Sequence, residues 1–155
     1  MADFDVRVGD GSGAAPAEHR RGRHYVQEAV VDFSEIDTGL EVNETVALFD
    51  VPAGTLVKTL TTDVREAAAV AGVIDIGEEG GDVDGYDAAV AVNSVARVAG
   101  NGALVVPEGT VYDADTVIML TQTAAVVVAD GKTHFYLECI ALERIDEPAV
   151  VIPGR

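Results

Sequence analysis

Five carboxylates fall within ten residues of this chain. Glu78, Glu79, Asp82, Asp84 and Asp87 stand in the stretch Gly-Glu-Glu-Gly-Gly-Asp-Val-Asp-Gly-Tyr-Asp at 77–87. Hard cations such as Ca²⁺ take oxygen clusters of this kind. Asp82, Asp84 and Asp87 are the residues that would hold one. The glycine in Asp82-Val83-Asp84-Gly85 comes too early for an EF-hand loop, so the reading taken is a solvated acidic loop with no resident metal or cofactor. A glycosidase acid–base pair would need a pocket walled by aromatic platforms. The chain has no Trp, four Tyr and four Phe, which argues against that use.

Other chemistry-bearing residues are sparse. The histidines are His19, His24 and His134, and no His-x-x-x-His or Cys-x-x-Cys spacing is available, so a zinc site is not expected. Cys139 lies in an apolar run, where a thiol acts as a small buried hydrophobe, and it has no second cysteine with which to form an internal disulfide. None of the serines sits in a Gly-x-Ser-x-Gly frame, and the phosphate loop and dinucleotide fingerprint are missing. The expectation is a protein that is not an enzyme and has no catalytic residues.

One basic cluster stands out, His19-Arg20-Arg21-Gly22-Arg23-His24. It closes a stretch rich in Gly and Ala that has little to bury, so residues 1–24 read as a flexible N-terminal arm. The arm sums to zero charge, with Asp3, Asp5, Asp10 and Glu18 against Arg7, Arg20, Arg21 and Arg23. The net charge of −17 therefore belongs to the remainder. A body so acidic repels nucleic-acid phosphates and anionic membranes, so neither is expected as a partner. The functional reading of His19, Arg20, Arg21, Arg23 and His24 is an arm that orders against an acidic neighbouring subunit. Lys occurs only at positions 58 and 132, and this balance also suits a saline setting, where screening weakens self-repulsion. No stretch is apolar for long enough to span a bilayer, and no secretory leader is evident, so a soluble, unexported product is expected.

The elements that must position these residues are strands. Tyr25, Ala29, Val31 and Phe33 alternate on one side of a first strand. Thr45–Asp50 and Leu56–Thr62 read as the next two, separated by the Pro-Gly turn Val51–Thr55, which recurs as Val106–Thr110. The Asp63-Val64-Arg65-Glu66 capping pattern, followed by Ala67–Ala71 and Gly72, predicts a two-turn helix, and Tyr86–Val98 a second short one. Val73–Ile76, Thr116–Thr121, Ala125–Ala129 and Thr133–Leu142 read as strands, the last two joined by a hairpin at Asp130-Gly131. Apolar residues on both faces of Thr133–Leu142 predict cover on both sides, by the core and by a partner subunit. The sum is an all-β single domain, a β-sandwich or jelly-roll-like fold over 25–147 with one or two short helices. An extended C-terminal tail follows at 148–155, bracketed by Pro148 and Pro153.

The run Val46-Ala47-Leu48-Phe49-Asp50-Val51-Pro52-Ala53-Gly54-Thr55-Leu56-Val57, the pair Asp75-Ile76-Gly77 with Asp82-Val83-Asp84-Gly85-Tyr86, the strand Thr116–Leu120 and the turn Asp130-Gly131-Lys132 carry a resemblance over roughly residues 40–145. Here the chain resembles the tailed-phage head decoration, or capsid cement, proteins. The resemblance implies a virion structural protein on the capsid exterior, made in the host cytoplasm, that binds the major capsid protein as a homotrimer. It implies no catalytic residues. Two other readings stand beside it: another virion component such as a tail or connector part, and a cellular β-sandwich ligand-binding module whose aromatic patch would have to come from Tyr25, Tyr86, Tyr112 and Tyr136.

Overall fold

Period-two alternation governs nearly every ordered segment of the chain, and each strand so made has one apolar side to hide. The computed structural model describes residues 4–5, 24–100, 102–105 and 109–142. Ten strands form two sheets: β1 (Phe4–Asp5), β2 (His24–Asp32), β3 (Thr45–Val51), β4 (Thr55–Glu66), β5 (Val73–Glu78), β6 (Asp87–Ala91), β7 (Ala96–Ala99), β8 (Thr110–Tyr112), β9 (Thr116–Gln122) and β10 (Lys132–Ala141). Sheet A has the order β1-β3-β9-β5-β6. Sheet B has the order β2-β10-β4-β7, with β8 pairing a different stretch of β4. The two apolar faces close on each other as a β-sandwich, as expected from the sequence.

The core is the list of inward positions. β2 contributes Tyr25, Ala29 and Val31, β3 Val46, Leu48, Phe49 and Val51, β9 Ile118 and Leu120, and β10 Phe135, Leu137, Cys139 and Ala141. Both Leu48 and Phe49 point inward because a bulge falls between Ala47 and Phe49. β10 is the spine of sheet B. It pairs with β2 from Lys132 to Ile140 and with β4 over its whole length.

Neither α-helix expected from the sequence forms. The capping pattern at Asp63–Glu66 is the end of β4, where Val64 pairs with Thr133 and Ala96. Two turns of helix cannot nucleate against a strand whose hydrogen bonds continue those of a long neighbour. The second segment splits into β6 and β7 at a turn over 92–94. The helical element that is present among the described residues is a single 3₁₀ turn, Phe33–Glu35, capped by the Asp32 carboxylate accepting from the Ser34 amide.

The segment Ala125–Ala129 is not a strand, and Asp130-Gly131 is not a hairpin turn. β9 belongs to sheet A and β10 to sheet B, so the link between them must cross the core's rim. The buried Gln122 amide donates to the Val126 carbonyl (3.1 Å) and holds this link in a bend. Val128 makes a lone antiparallel bridge to Leu40, and Gly131, at φ +95°, accepts from the Phe33 amide. The glycine serves a crossover instead of a tight reversal.

The glycines of the two Pro-Gly sequences, Gly54 and Gly109, share a left-handed φ (+78° and +77°), and the strands that leave them, β4 and β8, pair antiparallel as Thr55↔Tyr112 and Val57↔Thr110. Residues 106–108 of the second sequence lie outside the described residues. The first links sheet A to sheet B, and its Gly54 backbone is tied to Tyr112 and Leu142.

Candidate functional site

The acidic loop is where chemistry was sought, and backbone contacts shape it tightly. Residues 78–86 close on themselves: the Glu78 amide donates to the Asp82 carbonyl, Gly81 to Glu78, and Tyr86 to Ile76. This return passes so close to Gly77 that a Cβ there would lie 2.0 Å from the Asp82 carbonyl oxygen. Asp82 and Asp84 are exposed and share a hydrogen bond, which raises the Asp82 pKa.

Asp87 faces the other way. It is fully buried, and its Oδ2 accepts from the Thr62 hydroxyl on the opposite sheet (3.1 Å). Loss of hydration raises its pKa to about 6, with the nearby Asp75 charge adding to the effect. The three residues a cation would use are therefore split between solvent and core. Among the described residues no group of three or more His, Cys, Asp or Glu side chains is placed to hold a metal ion.

No local pattern signals the network that ties this loop to the core. The Tyr86 hydroxyl lies 2.5 Å from that of Tyr112, which in turn donates to Glu78 Oε1. The chain of hydroxyls joins β5 and the following loop in sheet A to β8 in sheet B. Burial raises both tyrosine pKa values, so both remain neutral donors. Spacings of 34 and 26 residues between these partners are invisible to any local pattern.

The remaining candidates are quickly placed. Cys139 is buried and its thiol is pushed up to about 12 by burial, which removes it as a nucleophile. His134 sits on the open face of β10, 3.1 Å from Glu28 and stacked on Tyr136. His24 begins β2, with its Nδ1 3.8 Å from Glu138. His19, Arg20, Arg21 and Arg23, like the tail 148–155, lie outside the described residues, while Phe4–Asp5 pairs parallel with Val46–Ala47 of β3. Tyr25, Tyr86 and Tyr112 are buried, so of the four tyrosines Tyr136 alone could begin an exposed aromatic platform.

The chain's open surfaces are sharply sorted by charge. One end of the sandwich gathers the β3–β4 turn, the β5–β6 loop and the β8–β9 loop, with Asp50, Glu78, Glu79, Asp82, Asp84, Asp113 and Asp115. A cavity of about 310 Å³ opens there, lined by Asp50, Val51, Pro52, Asp115, Thr116 and Val117. The opposite end carries Glu35, Asp37, Glu41 and Asp130, with Lys132 and Arg65 at the adjoining ends of β10 and β4. The outer face of sheet A presents Thr45, Ala47, Val117, Met119 and Thr121 around Asp75. The Lys and Arg residues among those described, Lys58, Arg65, Arg97 and Lys132, all project from the outer face of sheet B or its rim. There they meet acids on the same face: Arg97 and Arg65 converge on Asp63, and Lys132 binds Asp32 (2.8 Å). The paired bases lower the pKa of both carboxyls, Arg97 chiefly for Asp63 and Lys132 chiefly for Asp32.

No protein-family model matches the sequence, and no curated protein matches it. Solved structures do match the fold. A chain in the capsid of Ralstonia phage GP4 superposes with a TM-score of 0.69 at 13% identity, over 92% of this chain and 99% of that one. A chain of the cyanophage Pam1 capsid asymmetric unit gives 0.61 at 18% identity, over 84% and 92%. A chain of the acid-stable capsid of Helicobacter pylori bacteriophage KHP30 gives 0.54 at 13%, over 75% and 86%. The sandwich is thus a fold found among chains of phage capsids.

Proposed function

We propose that this chain is a structural, non-enzymatic component of a virus particle, and specifically a decoration protein that binds the outside of the capsid and stabilises it. The observation that carries the reading is the near end-to-end match with a chain of the GP4 capsid, 92% of one against 99% of the other. The likeness runs along nearly the whole of both chains, so the sandwich as a whole, not a shared fragment, supports a capsid role.

The molecule's chemistry supports the same reading. Its buried polar groups knit the two sheets together, and the thiol is sealed in the core. The broad sheet faces are open. An added subunit stabilises a shell by burying surface across neighbouring subunits, at about 25 cal/mol per Å² of apolar area before the cost of association. Many copies on one shell multiply that gain. The major capsid protein is the partner this role requires, with the chain acting as a homotrimer and the basic cluster His19–His24 supplying an arm contact. A cellular carbohydrate-binding module is disfavoured, because Tyr25, Tyr86 and Tyr112 are withdrawn from the surface.

The test is co-sedimentation of the purified chain with particles prepared without it. Saturable binding at a fixed ratio to the major capsid protein is expected, together with a rise in the particles' disruption temperature. A chain that stays in the supernatant at all concentrations contradicts the proposal.

A further inference from the structure

A sheet ends in strands whose outer backbone groups have no neighbour, and stable proteins blunt such edges. Most margins of this sandwich are blunted. Sheet A ends in β1, which is two residues long, and in β6, whose register with β5 slips between Ile74 and Ile76 and whose Ala89 holds a left-handed φ of 55°. On sheet B, β7 has four residues and β8 three. β2 is different. It runs nine residues, His24–Asp32, keeps one register with β10 throughout, and contains no Lys, Pro or Gly. Its other side meets no strand among the described residues. The ladder tells which groups lie open there. The Phe33 amide donates to the Gly131 carbonyl (3.0 Å), in the register that pairs Asp32 with Lys132. Backbone direction alternates along a strand, so Val31, Ala29, Gln27 and Tyr25 also turn their N–H and C=O toward β10. Val26, Glu28 and Val30 therefore turn theirs outward. Their side chains stand on the outer face, with Val26 59% and Val30 37% exposed. On the inner row, the Gln27 amide nitrogen is buried with no hydrogen-bond partner among the described residues.

We infer that β2 takes an added strand: an extended segment of a shell subunit lies along Val26–Val30 and exchanges backbone hydrogen bonds with it. The choice of partner rests on the capsid reading above. The residues of β2 define the chemistry of the segment. Its inner-row side chains lengthen the core beside Tyr25 and Ala29, so they are apolar, and the one over Gln27 supplies an acceptor for the buried amide. Its outer row faces Glu28, with Glu138 one strand behind. Among the described residues the bases that meet these two carboxylates are histidines, His134 and His24. A Lys or Arg on the incoming strand complements them. Asp32 adds nothing to this attraction, because Lys132 already holds it. A second copy of the chain fits worse than a shell segment. The fullest antiparallel overlap of two β2 strands sets Glu28 directly opposite Glu28, and like charges so placed repel.

The test is hydrogen exchange on the full chain, free and bound to particles prepared without it, read by mass spectrometry on peptides across 24–32 fragmented to single residues. In the free chain the Val26, Glu28 and Val30 amides are expected to exchange fast while those of Ala29 and Val31 are protected; on particles all five are expected to be slow. Glu28→Pro gives a second arm. It deletes an outward N–H and leaves the ladder to β10 whole, since that nitrogen does not face β10. Its affinity for the particles is expected to fall by about tenfold or more, and that of Glu28→Gln, which loses only the charge, by roughly threefold. Circular dichroism and melting show whether the proline variant folds; if it does not, Val26→Pro takes its place, and the exchange measurement on the parent needs no variant. Binding with the outward amides still fast, or a folded proline variant as tight as the parent, overturns the inference and leaves the capsid reading standing. Outward amides already slow in the free chain overturn it as well, a monomer covering the edge with its own chain and an oligomer with a second copy. A chain that binds no particles removes the assigned partner together with the proposed function.

Discussion

Asp87 is a carboxylic acid held between two sheets, with Thr62 as its cross-sheet partner. Its folded pKa of about 6 exceeds the ordinary carboxylate value, so the folded state binds its proton more tightly than the unfolded chain does. The stabilising influence is complete below pH 4 and is lost as pH rises through 6, at a cost of about 3 kcal/mol. Asp32 and Asp63 work in the opposite direction. Their pKa values are lowered, so their contribution is present above the unfolded value and disappears as pH falls through the folded one. Stability should therefore peak between about pH 4 and 6. Asp87→Asn is expected to melt higher than the parent at pH 8, with the gap closing at pH 4.5, in thermal scans at matched ionic strength. A gap independent of pH would show that Asp87 is not the titrating group. Tyr112→Phe leaves Glu78 and the Tyr86 hydroxyl without their shared partner, and should cost about 1–3 kcal/mol in urea unfolding.

At the level of elements, the β5–β6 loop shows how a polar sequence can still be a rigid structure. Its fold depends on Gly77, where any side chain meets the Asp82 and Val83 backbone. Gly77→Ala is expected to destabilise by about 2 kcal/mol or more, as an overpacked site does, with a lower urea midpoint as the readout. A near-neutral result would mean that the loop can open without cost. This loop also marks what the sequence made legible. Alternation placed Tyr25, Ala29, Val31 and Phe33 correctly, and the inward row of β10 as well, because burial on one face writes a period of two into the residues. It failed at Asp63–Gly72 and at Asp130-Gly131, where local signals for a helix and a hairpin were overruled by which sheet each strand had to join. The Glu78–Tyr112–Tyr86 network was beyond reach for a related reason, since only the packing of β8 over the β5–β6 loop brings those residues together.

The whole molecule is an acidic body whose described bases are confined to one face. Most of its negative charge lies at the two ends of the sandwich, and like charges so grouped repel across distances that salt shortens. Melting temperature should rise by several degrees between 20 mM and 1 M KCl, followed by circular dichroism at pH 7. A flat response would mean that self-repulsion is negligible and would remove the case for a saline setting. Truncation of residues 1–23 also removes the two-residue β1 from the edge of sheet A, so a small fall in melting temperature is expected together with weakened capsid binding; unaltered occupancy would take the arm out of the mechanism. All of this assumes that the sandwich works through its surfaces in a virus shell. Quantitative peptide mass spectrometry of gradient-purified virus particles from a culture that produces the chain tests that most directly. The account predicts the chain at a fixed, high copy number relative to the major capsid protein, and its absence from intact particles would contradict it.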